Sequence, residues 1–307
     1  MSTHLPPQSR ILVVGGTGMI GQHVARLLAE QGNDVTIAGR NAPAEGSWVE
    51  GFAFLEGDYA TGGLTVEELT GFDAVVFAAG QDIRHAGGPG DDDFWRTYQI
   101  EGVPNIAARA KAAGVKRFVQ IGSYYHQVRP DLVSNEYVAA RKAADDGARA
   151  LSDETFAAIT LNPPSIVGAA PGGSVKQLKG QLRWANGDLA GKIPDFAPAG
   201  GTNYMSVRSV AEAVSGALAR GEGGTAYLIG DENLRFVDFF NLVFAASGSG
   251  RVLEERDEEH PFLPDWAIVP GRGNVVAYEP DADEVALLGY RRGDVAPMIA
   301  EMVAALD

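Results

Sequence analysis

Apolar residues in this chain come as short unbroken runs. Each run ends at a glycine or polar cluster, and residues spaced three or four apart then follow. The first run is Ile11-Leu12-Val13-Val14; it stops at Gly15-Gly16-Thr17-Gly18, after which Met19, Ile20, Val24, Leu27 and Leu28 recur with helical spacing. Residues 34–38, 52–55, 73–77, 115–121 and 156–161 read as further strands. Helical spacing fills 94–113 and 134–151, the second with Ser134 or Asn135 as its N-cap.

From Gly168 the texture changes. Residues 168–202 are rich in Gly, Pro and Ala, with a helix near 175–184. A helix over 207–220, a strand over 225–229 and a helix over 236–247 follow. The remainder, through His260, Trp266 and Tyr290, mixes loops with short helices. Regular alternation of strand and helix predicts an α/β fold, a Rossmann-type doubly wound parallel sheet with a smaller C-terminal lobe. The expected organisation is a dinucleotide-binding core over 1–167, to which 205–230 returns. An interleaved substrate-binding lobe then comprises 168–204 and 231–307, with a substrate cleft between the two.

Composition narrows the partners. The 307 residues are 45% hydrophobic, enough for a sizeable core, and the formal net charge is −15. That charge argues against nucleic acid and anionic membranes as partners. There is no cysteine, hence no disulfide, thiolate metal site or cysteine nucleophile, and no metal site is expected. No apolar stretch approaches the ~20 residues of a membrane span. The lead-in MSTHLPPQSR lacks the apolar core of a secretion signal and reads as disordered, so a cytoplasmic protein is expected.

The candidate chemistry begins at the first glycine cluster. Strand, tight glycine turn and helix in that order suit a dinucleotide pyrophosphate. Gly15, Gly18 and Gly21 remove side chains where the chain must turn and where backbone N–H groups approach phosphate. The following helix start offers unpaired donors and a partial positive charge. At the end of the second strand stands Arg40, with no carboxylate in Ala38-Gly39-Arg40-Asn41. An arginine there suits the 2′-phosphate of NADP, whereas NAD favours an acid, so NADP is the expected cofactor and NAD the alternative. Asp58, after the third strand, is placed to approach the adenine, and small residues Ala78-Ala79-Gly80 allow close passage of backbone at the nucleotide. His85, in the polar loop 81–93, is a further candidate for substrate contact.

These motifs together resemble the short-chain dehydrogenase/reductase superfamily, in its extended, NAD(P)-dependent epimerase/dehydratase branch. The resemblance runs through GGTGMIG at 15–21, GDYA at 57–60, FAAG at 77–80, KRFVQIGS at 116–123, the helix of Tyr137, LNPPSIVG at 161–168 and YMSVRSVAEAV at 204–214. It implies a cofactor site formed by Gly15, Thr17, Gly18, Met19, Ile20, Gly21, Arg40, Asp58, Tyr59, Ala78, Ala79, Gly80, Arg141 and Pro163. It also implies a catalytic Ser or Thr ending the fifth strand and a Tyr-x-x-x-Lys pair on one helix face. Here these positions hold Ser123, Tyr137 and, in place of lysine, Arg141; Lys142 lies one residue later, rotated by roughly 100° around the helix. A second departure is Gln99, where the family usually has Asn.

A cation one turn beyond a tyrosine favours the tyrosinate and eases proton exchange with a substrate oxygen. The leading expectation is therefore an NADP-dependent oxidoreductase of a small or medium organic carbonyl or alcohol. Tyr137 would be its acid/base, Ser123 would orient the oxygen, and Arg141 would hold the nicotinamide ribose and tune Tyr137. Tyr125, His126, Trp184 and Tyr204 are the expected substrate-lining residues. The alternatives are a nucleotide-sugar epimerase or dehydratase with recycled NAD, and a non-catalytic NADP-sensing regulator. The partner expected is a small-molecule substrate, with homodimer pairing through the helices 94–113 and 134–151.

Overall fold

The computed structural model describes residues 5–81, 86, 90–172 and 176–306, so His85 lies outside the described residues. The chain opens with β1 (Arg10–Val14), α1 (Met19–Glu30), β2 (Asp34–Gly39), β3 (Ala53–Glu56), α2 (Val66–Leu69) and β4 (Ala74–Phe77). It continues with α3 (Asp92–Trp95), a π-helical turn (Arg96–Ile100), α4 (Gly102–Ala112), β5 (Arg117–Ile121), α5 (Tyr125–Val128), a 3-10 turn (Pro130–Ser134) and α6 (Glu136–Arg149). Then come β6 (Ala157–Asn162), β7 (Ser165–Val167), α7 (Lys176–Ala185), β8 (Phe196–Pro198), β9 (Gly201–Ser206) and α8 (Val207–Arg220). The last part holds β10 (Ala226–Leu228), β11 (Glu232–Arg235), α9 (Phe236–Ala246), β12 (Glu254–Arg256), a 3-10 turn (Asp265–Ala267), β13 (Val275–Val276), α10 (Ala282–Leu288) and α11 (Val295–Ala304).

Seven strands form one sheet in the order β10-β6-β5-β4-β1-β2-β3. Every neighbouring pair in it is parallel. The unbroken apolar runs are explained by burial on both faces. In β1, Ile11 and Val13 pack with Val24, Ala25 and Leu28 of α1 and with Val210 and Val214 of α8. Leu12 and Val14 point the other way, onto Ile106 and Ala107 of α4 and Ala144 and Ala148 of α6. The strand order reverses between β1 and β4, which opens the crevice where such sheets take a nucleotide.

A second, four-stranded sheet joins β11, β9 and β13, with β7 paired to β9. Its strands lack long apolar runs and the sequence pattern does not predict them, although all of β9 is buried. The single helix expected over 94–113 is also broken. The N–H of Glu101 donates to the carbonyl of Arg96 at 2.9 Å, a five-residue step that inserts one extra residue into the helix. By contrast, α6 is a regular α-helix, and its cap is Asn135, whose side chain accepts from the N–H of Val138.

Candidate active site

The glycine turn is built by close backbone approach. Gly15 has φ +81°, and a Cβ there would lie 2.6 Å from the N of Ala79. A Cβ on Gly21 would fall 2.1 Å from the carbonyl oxygen of Gly15, so the first turn of α1 can sit on the loop only with glycine there. The turn therefore abuts Ala78–Ala79 at the end of β4, and Thr17 lies beside Gly39 at the end of β2. The N-cap of α1 is Gly18; no side chain caps the helix and no acid occupies its first turn. The donors and partial positive charge of a twelve-residue helix thus face the crevice without an internal anion. These features fit the pyrophosphate of a dinucleotide. Arg40 is exposed just past β2, and Asp58 accepts from the N–H of Ala60 at 3.0 Å. The Tyr59 side chain is turned into the core, its ring edge-on to Phe77 and its hydroxyl donating to the carbonyl of Tyr98 at 2.9 Å. Pro163 is buried directly after β6.

The second half of the site is held by α6. The Tyr137 hydroxyl donates to the Ser123 Oγ at 3.4 Å, bringing the two together across 14 residues of chain. Arg141, one turn further along α6, is buried. Its Nη1 donates to the Gln99 Oε1 at 3.2 Å and its Nη2 to the carbonyl of Ile121 at 2.7 Å. Its Nε is buried with no hydrogen-bond partner. Gln99 is fully buried in the π turn, and its Nε2 donates to the carbonyl of Gln81 at 2.7 Å. Lys142 points away and pairs with Asp146 at the surface. On the regular α6, Arg141 rather than Lys142 shares the face of Tyr137.

Aromatic rings surround Tyr137. Trp95 lies 5.7 Å away, centroid to centroid, and Tyr125 6.2 Å away, edge-on. Tyr124 is tilted against Tyr125 at 4.2 Å, and its hydroxyl shares a 2.6 Å hydrogen bond with the Thr202 Oγ1. Burial pushes the hydroxyls of both Tyr124 and Tyr125 well above the usual tyrosine range.

Three of the four expected substrate-lining residues are placed differently. Trp184 is enclosed by Phe240, Phe244, His260 and Phe262, with its indole N–H on Asp195 at 3.2 Å, so it is core. Tyr204 stacks on Phe239 at 4.5 Å and is buried. His126 turns inward, with its Nε2 at 3.0 Å from the Asp145 Oδ2 and its Nδ1 buried without a partner. Asp145 is fully buried. It also accepts from Arg149 and, at 3.2 Å, from the Asn162 Nδ2. Burial pushes the Asp145 carboxyl up, but the hydrogen bonds from His126 and Arg149 outweigh it and hold the carboxyl at about 2. Asp145 was not anticipated as part of this region. The available signal was its spacing, eight residues beyond Tyr137 and four beyond Arg141, on the same helix face.

The model of the NAD dependent epimerase/dehydratase family matches residues 11–230. The 2-alkyl-3-oxoalkanoate reductase of Stenotrophomonas maltophilia is 28% identical over 267 residues, which cover 79% of this chain and 77% of that protein. Among solved structures, UDP-N-acetylglucosamine 4-epimerase from Bacillus cereus superposes with a TM-score of 0.72 at 16% identity, covering 97% of this chain and 96% of that one. The Bordetella bronchiseptica enzyme WbmH, in complex with NAD+, gives 0.70 at 20% identity, covering 97% and 98%. At those identities the two structures speak to the fold. No helix among the described residues is long and apolar enough to cross a membrane.

Proposed function

We propose, from the premise that this chain belongs to the NAD dependent epimerase/dehydratase family, that it is an NADP-dependent oxidoreductase acting on an organic carbonyl or alcohol with apolar substituents. The observation that carries the reading is the Tyr137 hydroxyl against Ser123 Oγ, with the Arg141 guanidinium one turn along the same helix. The glycine turn and the open start of α1 would hold the pyrophosphate, Arg40 the 2′-phosphate and Arg141 the nicotinamide ribose. When bound, the nicotinamide supplies or accepts the hydride. In the reductive direction, Ser123 orients the carbonyl oxygen. Tyr137 donates its hydroxyl proton to that oxygen as the carbon is reduced, which leaves a tyrosinate. The fixed positive charge of Arg141 stabilises that tyrosinate until solvent returns a proton. Trp95 and Tyr125 exclude water from the reacting oxygen and favour an apolar substituent beside it.

The reductase relative supports this direction. The ketone named for that relative, a 3-oxoalkanoate with an alkyl group at C2, carries apolar chains that suit the rings around Tyr137 better than a sugar diphosphate does. Replacement Tyr137→Phe tests the assignment. Turnover of a ketone panel with NADPH should fall by about 10²–10⁴-fold while NADPH affinity stays within a factor of two. Retained turnover would remove Tyr137 from the acid/base role.

A further inference from the structure

The loop after β3, residues 57–64, starts beside the strand end that carries Arg40, because the N–H of Gly57 donates to the carbonyl of Gly39 at 3.0 Å. We infer that Arg109, on α4, is a positioning residue that clamps this loop in the one shape that presents Asp58 to the adenine of the cofactor. Arg109 acts through the loop and not by touching the nucleotide. The inference rests on the cofactor reading above.

The loop folds back on itself. The carbonyl of Asp58 accepts from the N–H groups of Thr61 at 3.3 Å and Gly63 at 3.0 Å, and a Cβ on Gly63 would lie 2.8 Å from the N of Asp58. The N–H of Ala60 donates to the Asp58 Oδ1 and so fixes the rotation of the carboxylate; Oδ2 is the oxygen that an exocyclic amino group would meet. This shape is strained. Leu64 is fully buried at φ +57°, in the left-handed region, where a leucine stays only if its surroundings hold it. Its side chain is held in the core with Ile106 and Ala107 of α4. Arg109, on the same helix, holds the main chain. Its Nη1 donates to the carbonyl of Gly63 at 2.6 Å and its Nη2 to the carbonyl of Tyr59. The Gly63 carbonyl belongs to the peptide unit that enters Leu64, so one prong fixes the peptide whose orientation defines that φ. The other prong holds the residue that directly follows Asp58. A rigid planar fork fixes the two carbonyls relative to each other, which a single ammonium cannot do. Burial pushes the Arg109 guanidinium below the usual arginine range, in keeping with a cation drawn partly out of water onto main-chain acceptors.

Base discrimination tests this. Wild type, Arg109→Met, Arg109→Lys and Asp58→Ala are titrated by fluorescence with NADPH and with reduced nicotinamide hypoxanthine dinucleotide phosphate, in which a carbonyl replaces the 6-amino group of adenine. Wild type should bind NADPH roughly tenfold tighter or more, the size of one charge-assisted hydrogen bond. Arg109→Met should narrow that preference to less than about threefold by weakening NADPH, with affinity for the hypoxanthine analogue kept within about threefold of wild type. Asp58→Ala should narrow it to the same degree. Arg109→Lys keeps the charge but reaches only one of the two carbonyls; it should narrow the preference at least about twofold, and it supplies the reading if the methionine variant does not fold. An unchanged preference in the Arg109 variants overturns the clamp. So does an equal loss for both ligands, which would mark Arg109 as merely structural, and so does a preference that survives Asp58→Ala. Wild type that binds both dinucleotides equally overturns the Asp58 contact, and the clamp with it, while the cofactor reading stands. Wild type that binds neither overturns the cofactor reading itself.

Discussion

Substitution Asp145→Asn tests the buried polar cluster behind the site. The carboxylate is fully buried, and it is held at about 2 against a reference value of 3.8 by His126 and Arg149, despite burial, which acts to raise it. The difference, 3.8 less about 2, corresponds to roughly 2 kcal/mol of stability favouring the charged form. Asparagine keeps the shape but loses the charge and one acceptor for the cluster, so the total loss near neutrality should be about 2–4 kcal/mol. At roughly 2 °C per kcal/mol for a chain of this size, Tm should fall by about 4–8 °C. The sign with pH follows from the lowered value. The contribution is complete above about pH 5, is halved to roughly 1 kcal/mol near pH 3, and vanishes as pH falls below 2. Urea unfolding of wild type and variant at pH 7 and pH 3, followed by circular dichroism, measures the difference at each pH. A gap that stays constant between those values, or a variant as stable as wild type at pH 7, would refute the reasoning.

Two further predictions separate neighbouring residues. Lys142→Met should leave NADPH affinity and turnover within twofold of wild type, because Lys142 pairs with Asp146 at the surface; a loss of nicotinamide-dependent affinity, read in the same titration, would transfer the ribose role from Arg141 to Lys142. Arg40→Asp should shift the NADPH/NADH affinity ratio toward NADH by at least about tenfold, since an arginine–phosphate contact is replaced by repulsion. An unchanged ratio in parallel titrations of the two cofactors would remove Arg40 from the 2′-phosphate site.

Much of the central sheet was legible because burial on both faces writes a simple code. Runs such as Ile11–Val14 and 73–77 suit a parallel sheet covered on both faces, and the glycines that follow β1 are needed because a Cβ on Gly21 would fall 2.1 Å from the Gly15 carbonyl oxygen. The second sheet was not legible. Gly201–Ser206 reads GTNYMS, whose polar residues are buried by partners on other strands; Asn203, for example, donates to Asn233 across the β9–β11 pair at 2.8 Å. The π turn left no mark either, because an inserted residue changes which hydrogen bonds close and not which residue types occur. Side-chain direction was the weakest inference. Trp184 and His126 carry the chemistry of binding residues, yet one fills a core of phenylalanines and the other meets a buried carboxylate presented from a different element.

The same helix face holds the site at three points. Tyr137, Arg141 and Asp145 are spaced at four-residue steps, so they form one stripe along α6. Each meets a different point on the ends of β5 and β6: Tyr137 reaches Ser123 just past β5, Arg141 the carbonyl of Ile121 within β5, and Asp145 the amide of Asn162 at the end of β6. A Cβ on Gly122, between the first two contacts, would lie 1.9 Å from the Asn162 Oδ1, so the two strand ends are already in contact there. Slipping α6 by one residue would turn the stripe by about 100° and break all three contacts together. The register of this helix is thus fixed by three polar bonds rather than by apolar packing alone. Loosening the outermost anchor, Asp145, should therefore be felt at Tyr137 two turns away as a lower turnover number at unchanged NADPH affinity.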